Sequence, residues 1–338
     1  MSDTTMSNIS IHPVQSLDQY RSSLKSVPTI GSLVWFGVED GVKIEHAGLL
    51  TRLSAAGFSA FAPPEPRDSD VFTRICSKSH RKKVQTSNPN VFVNYMLRPV
   101  GKDGTSIWRR IVAERVDTKG KKLGYSECTD LIYSDSNSTI LPSPKDNPDS
   151  VSDEITLKVI SDFNNMKGCV NSYVLREQLR KILTSLDAIT VRNRGAVFFI
   201  PGHDTEIVEF EKLVDSLGGG VIAHSLPLVD NNKQREMVRE AFESESVDDL
   251  DELIEDVYQS LNGPRGLTQK GKVSYILRLE NIKKKVTNYS SVLEQTLSLT
   301  ETKMDVAQKL MLNVITGEIN DQTTQTHTDI KSDDVTNS

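Results

Sequence analysis

Residues 231–316 constrain this chain more than any other stretch. From Asn231 to Asn262 it reads NNKQREMVREAFESESVDDLDELIEDVYQSLN, without a glycine or proline. That is the pattern of one long acidic helix, opened by Asn231 or Asn232 as its cap. Gly263-Pro264-Arg265-Gly266 then breaks it. A second long helix is predicted from about 268 to 316. Its apolar positions Tyr275, Leu279, Ile282, Val286, Tyr289 and Leu293 alternate steps of four and three, the seam of a coiled coil. The series resumes at Leu297, Thr300, Met304, Ala307, Met311 and Val314 after one extra four-residue step, which locally unwinds a supercoil. Ten carboxylates crowd 236–256, and Lys270, Lys272, Arg278, Lys283, Lys284 and Lys285 open the second arm. Folding back at the Gly-Pro break sets acid against base, so an antiparallel hairpin is expected. The second arm is the longer. Its end, with Leu299, Met304, Leu310 and Met311, then needs cover from the globular body, another copy or a partner protein.

Before the hairpin the pattern is of mixed strands and helices. A polar leader (1–29) precedes SLVWFGV (32–38), a strand rich in β-branched and aromatic residues. KIEHAGLLTRLSAA (43–56) has helical spacing that Gly57 ends, and DVFTRICSKS reads as a short helix after a proline-rich turn. Three β segments follow at 90–100, 106–117 and 122–134. The middle one is apolar on neither face, which predicts an edge strand or a partly wet sheet. SDSNSTILPSPKDNPDS (134–150) is read as a polar linker between a 30–140 α/β-type domain and a 151–230 domain. The latter holds two helices and then a strand–helix–strand, with strands 196–200 and 221–229 around helix 204–217. Residues 317–338 are Thr- and Asp-rich and are expected to be disordered. The fold class expected is α+β, with mixed or antiparallel sheet domains followed by the long antiparallel helical hairpin.

At 338 residues the chain has room for about two domains. No apolar run reaches the roughly 18 residues that cross a bilayer. Three scattered cysteines and a polar N-terminus point to a cytoplasmic protein without disulfides. The charge is divided: residues 30–140 carry a net +4 and residues 141–262 a net −11. Lys78, Arg81, Lys82 and Lys83, with Arg109, Arg110, Lys121 and Lys122, are candidate phosphate contacts. Phe92, Tyr95, Trp108 and Tyr125 lie among them, as in sheets that bind nucleic acid. Core aromatics beside a solvated basic loop would give the same pattern.

Catalytic and metal patterns are weaker. His203-Asp204 sits where ligands bind α/β folds, but Asp204 or Thr205 is also what a helix cap requires. No nucleophile elbow is present. Gly266 to Val273 fits part of a phosphate-binding loop, without the preceding strand or the Ser/Thr after the lysine. The acidic arm has no Glu-x-x-His spacing. No catalytic residue, metal site or cofactor is assigned.

SLVWFGV, DSDVFTRICS, GAVFFIPGHDTEIVEFEKLVDSLGG and HSLPLVDNNKQREMVREAFE, in this order and before a long helical tail, resemble domain-of-unknown-function family 6744. The resemblance spans about 30–315. It implies a phage, plasmid or bacterial background, a cytoplasmic setting in a bacterial or phage-infected cell, and no catalytic residue to transfer. The leading expectation is a non-enzymatic protein-interaction or assembly protein, joined to itself or another protein through the hairpin. The rival is a nucleic-acid-binding protein of phage or plasmid DNA metabolism that uses 78–122.

Overall fold

The structure, a computed structural model, describes residues 27–191, 196–263, 266–294 and 297–316. The expected leader up to residue 26, the expected disordered tail, and Pro264 and Arg265 of the break lie outside the described residues. In chain order the elements begin with β1 (Thr29–Val38), β2 (Lys43–Glu45), α1 (His46–Ala55), α2 (Asp68–Lys78) and β3 (Arg81–Gln85). Then come β4 (Val91–Asp103), β5 (Ser106–Asp117), β6 (Lys122–Ser134), β7 (Thr139–Pro144), α3 (Ser150–Met166) and β8 (Cys169–Asn171). The remainder are α4 (Ser172–Ser185), β9 (Ile189–Thr190), β10 (Val197–Ile200), α5 (Asp204–Leu217), β11 (Val221–Val229), α6 (Asn232–Asn262), α7 (Gln269–Leu293) and α8 (Ser298–Thr316). The fold is α+β with antiparallel sheets.

Two compact units divide the chain, and they do not follow the segments read along the sequence. One takes Val38–Arg180 and Leu213–Val221. The other takes 27–37, Lys181–Lys212 and 222–316.

The first unit is built on a five-stranded sheet in the order β3-β4-β5-β6-β7, antiparallel throughout. Gly120 turns β5 into β6 at φ +85°, and the Asp117 carboxylate accepts the Lys119 and Lys121 amides. One face packs Val71, Phe72, Ile75 and Cys76 of α2 and Ile155, Val159 and Phe163 of α3 against Ile111, Ala113, Leu131 and Tyr133. Asp149 starts α3 in a reciprocal capping box with Ser152 and also accepts from the Tyr95 hydroxyl at 2.6 Å. The segment at 106–117 is thus the central strand, not an edge, and its second face is exposed at Trp108 but buried at Val112, Glu114 and Val116. Two strands of this sheet went unread. β7 lies inside the expected linker, its two prolines fitting an edge position. β3 forms from the basic run, where lysines protect an edge from further pairing. The expected helix from 43 also starts three residues late, because Lys43–Glu45 pairs with β8.

The second unit has a four-stranded sheet in the order β11-β1-β10-β9. β1 runs antiparallel to β10 and lies between the two strands of the expected strand–helix–strand, which therefore are not neighbours. On one side Phe36 stacks with Phe198 and meets Phe210 of α5 edge-on. On the other, Leu33, Ile189, Phe199 and Leu228 close against α6, α7 and α8.

α6 and α7 run antiparallel, as Ser260–Tyr275, Asp256–Arg278 and Glu245–Lys285 contacts require. The expected single helix from 268 to 316 is instead two. Glu294, at φ +52°, ends α7, and Arg235 donates to the Leu293 carbonyl at 2.8 Å while gripping Asp230 through two hydrogen bonds. The extra four-residue step in the seam coincides with this break. α8 then folds back: Lys303 reaches Asp251, and the Lys272 ammonium donates to the Val314 carbonyl at 2.8 Å. Met304, Ala307, Met311 and Val314 are buried in the resulting three-helix core. Among the described residues no helix is long and apolar enough to cross a membrane.

Candidate interaction surfaces

Strand alternation sends Trp108, Arg110, Val112, Glu114 and Val116 of β5 to the face of the five-stranded sheet away from α2 and α3. A solvated antiparallel face should be mostly polar. Here an apolar row crosses three strands in direct register, Trp108 opposite Ile132 and Ile132 opposite Leu141. Trp108 is 39% and Leu141 58% exposed. On the β4 side Trp108 faces Gly101, which has no side chain to cover it. The adjacent row is charged, with Arg98 opposite Arg110 and Arg110 opposite Asp130. Arg110 donates to both Asp130 oxygens at 2.5 and 2.9 Å and to Glu127 at 2.6 Å. Lys145 completes the Asp130 site at 3.1 Å. The Arg110 hydrogen bonds, with help from Lys145, hold the Asp130 carboxyl below its ordinary range. Val112, flanked by Met96 and Glu127 across the sheet, is itself buried.

The eight basic residues proposed for phosphate do not converge. Arg109 points to the helix side, opposite in sense to Arg110, and its Nε has no hydrogen-bond partner among the described residues. Arg110 and Lys122 are paired with carboxylates, the latter with Glu114 at 2.6 Å. Arg81 pairs with Glu154 of α3 at 2.6 Å. Lys78, Lys82, Lys83 and Lys121 have no carboxylate partner among the described residues, and Lys121 lies in the β5–β6 turn. Arg98, beside the apolar row, has no carboxylate partner among the described residues; its guanidinium donates to the Met96 sulfur at 3.3 Å.

A family model described as a family of unknown function, DUF6744, matches residues 29–320. The chain belongs to the DUF6744 family. No curated protein and no solved structure matches it.

In this DUF6744 chain the four positions expected to need cover from the globular body or another molecule divide unevenly, Leu310 packing in part against the helical core that holds Met304 and Met311. Met304 and Met311 are consumed by the three-helix core, whereas Leu299 is 53% exposed and Leu310 half-buried. Leu299 and Val306, seven residues apart, stand exposed on one side of α8. The 200–205 turn is a hinge: Gly202 and His203 both take positive φ, and the His203 carbonyl accepts from Ile207 at 2.9 Å. α5 begins at Asp204, so this residue is the first of the helix and not its cap; with Glu206 it places carboxylates in the first turn. The loop-like 266–273 stretch is a helix start, with the Thr268 hydroxyl accepting from Gly271. Burial pushes the Cys76 thiol up to about 12 and Cys128 to about 11, which keeps both from acting as thiolates near neutrality. A polar cleft of about 430 Å³ is lined by Arg67, Asp68, Tyr133, Asp135, Ser138 and Lys167. Its Asp68 and Asp135 accept from Ser138 and Tyr133, and burial followed by Asp135 pushes the Tyr133 hydroxyl up to about 12. No group of three or more metal-binding side chains occurs among the described residues.

Proposed function

We propose that this DUF6744 protein is a non-enzymatic interaction or assembly protein that holds a protein partner on the outward face of its five-stranded sheet. The observation that carries this reading is the Trp108–Ile132–Leu141 row, exposed at Trp108 and Leu141 and set in register beside Arg98 and Arg110. Tryptophan and arginine dominate the binding energy of protein interfaces when they sit together under a partner. The α6–α7 pair adds a coiled-coil hairpin, braced by α8, whose Leu299 and Val306 are a second place for contact. The test compares Trp108→Asp and Leu141→Asp with the unaltered chain for binding to purified candidate proteins, itself included. Loss of stoichiometric binding in both variants supports the reading. Binding that neither variant changes, or no protein bound at micromolar concentration, refutes it.

A second reading, nucleic-acid binding, is favoured by the unpaired Lys78, Lys82 and Arg98. Converting all three to Ala should lower the slope of log affinity against log salt by up to about three, near one per lost phosphate contact.

A further inference from the structure

The outward sheet face can be asked what occupant it fits. Five strands about 4.8 Å apart, with the outer two short, give a projected area of roughly 650 Å². Corrugation raises the accessible area above the projection, towards the roughly 800 Å² per partner of a standard stable interface. Val112, Glu114, Val116 and Asp130 on this face are already buried, so only part of that area is open to a partner; because the face is built on a sheet, the match it offers is flat rather than grooved. A helix laid in a groove is a poor fit to it.

Charge narrows the choice. Arg98, Arg110, Lys122 and Lys145 stand against Glu114, Glu127 and Asp130. A nucleic acid would bring phosphates against three carboxylates, and a strongly acidic or basic protein would meet like charge as often as unlike. A near-neutral face carrying both signs suits a surface with the same mixture. Within the monomer Arg98 lacks a carboxylate, while Glu127, though held by Arg110, keeps its side chain 45% exposed. Each copy thus offers what the other can pair.

We infer that the occupant is a second copy of this chain, docked face to face on the five-stranded sheet. The row Trp108–Ile132–Leu141 is the apolar centre of the contact, and Arg98 and Glu127 are at its charged border. Two inner sheet faces packed in this way interdigitate their side chains across about 10 Å. A two-fold axis makes the contact self-complementary and closed, so it ends at a dimer. This inference rests on the reading of the sheet face as a protein-binding surface and names the partner.

The experiment is sedimentation and light scattering of the full chain between about 1 and 100 µM, a range that spans ordinary dimer affinities. Twice the 37.6 kDa chain mass is expected. Trp108→Asp and Leu141→Asp should each give the monomer mass with an unchanged circular dichroism spectrum. Arg98→Glu should weaken dimerisation by about tenfold, with a loss that high salt reduces. Leu157→Asp, at an exposed position of α3, should leave the dimer intact. If Trp108→Asp proves misfolded, Leu141→Asp and Arg98→Glu decide, since both positions are exposed. A wild-type chain that stays monomeric to 100 µM overturns the inference, as does a dimer that survives both Asp variants. A monomer that still binds another protein through Trp108 would overturn the second copy and leave the interaction reading standing. A dimer lost only in Leu299→Asp would move the interface to α8.

Discussion

Tyr289 offers the sharpest test of how the helices are fastened to the four-stranded sheet. Its side chain is fully buried on α7, stacked on Phe242 with ring centroids 4.2 Å apart and edge-on to Phe199 at 6.1 Å. The hydroxyl donates to the Asp187 carbonyl at 2.8 Å and lies 3.4 Å from the Phe199 carbonyl. Burial raises its ionisation well above the ordinary tyrosine range. Removing the hydroxyl as Tyr289→Phe keeps the ring but leaves a buried carbonyl without its donor, a loss of about 1–2 kcal/mol. Truncation to Ala also removes an aromatic body of about 150–250 Å², and large aromatic deletions of this kind cost about 3–5 kcal/mol. Urea unfolding followed by fluorescence and by circular dichroism gives both values. Two compact units need not unfold together, so the two probes must coincide before a single free energy is extracted. The reasoning is refuted if the Phe variant is as stable as the wild type. It is refuted equally if Tyr289→Ala costs less than about 2 kcal/mol, because such a site would have to be partly open to water.

Three further substitutions probe other levels of the structure. Asn231→Ala removes the side chain that accepts the Gln234 amide at the start of α6 and should lower stability by about 1 kcal/mol in the same urea assay. Gly31 has φ +152°, and a Cβ there would lie 2.3 Å from the Ile200 carbonyl oxygen and 2.7 Å from the Phe199 ring; Gly31→Ala should therefore cost about 1–3 kcal/mol, read as a lower urea midpoint. Asp130 has a lowered carboxyl, so its contribution is present above the ordinary value of 3.8 and is lost as pH falls through the lower folded value. Asp130→Asn should thus destabilise the protein at pH 7 while flattening the fall in stability between about pH 5 and 2, and parallel acid limbs in the two proteins would refute the pairing.

Sequence alone determined the local elements wherever a strong period met a strong boundary signal. The long uninterrupted pattern before Gly263 became α6, and Asn231 caps it as the side-chain chemistry demands. Strand–turn–helix at 196–217 and the β segments at 106–117 and 122–134 also follow from local pattern. Even the irregular step in the second helical seam was visible. Whether it meant an unwound supercoil or a broken helix was not, because both satisfy the same spacing. Arg235, far away in sequence, meets the Leu293 carbonyl and supports the break, and Met304 and Met311 are buried because α8 folds back.

Tertiary structure decided everything that depends on strand partners. β7 and β3 are short, polar or proline-bearing segments that are strands only because β6 and β4 hold them. β1 pairs with β10 across more than 150 residues, a long-range contact on which local propensity is silent. The candidate surface belongs to the same class. Trp108, Ile132 and Leu141 are unremarkable one by one, and no motif joins them in sequence. They form a row because pairing register sets which residues lie opposite, and a slip of one residue would turn each to the other face.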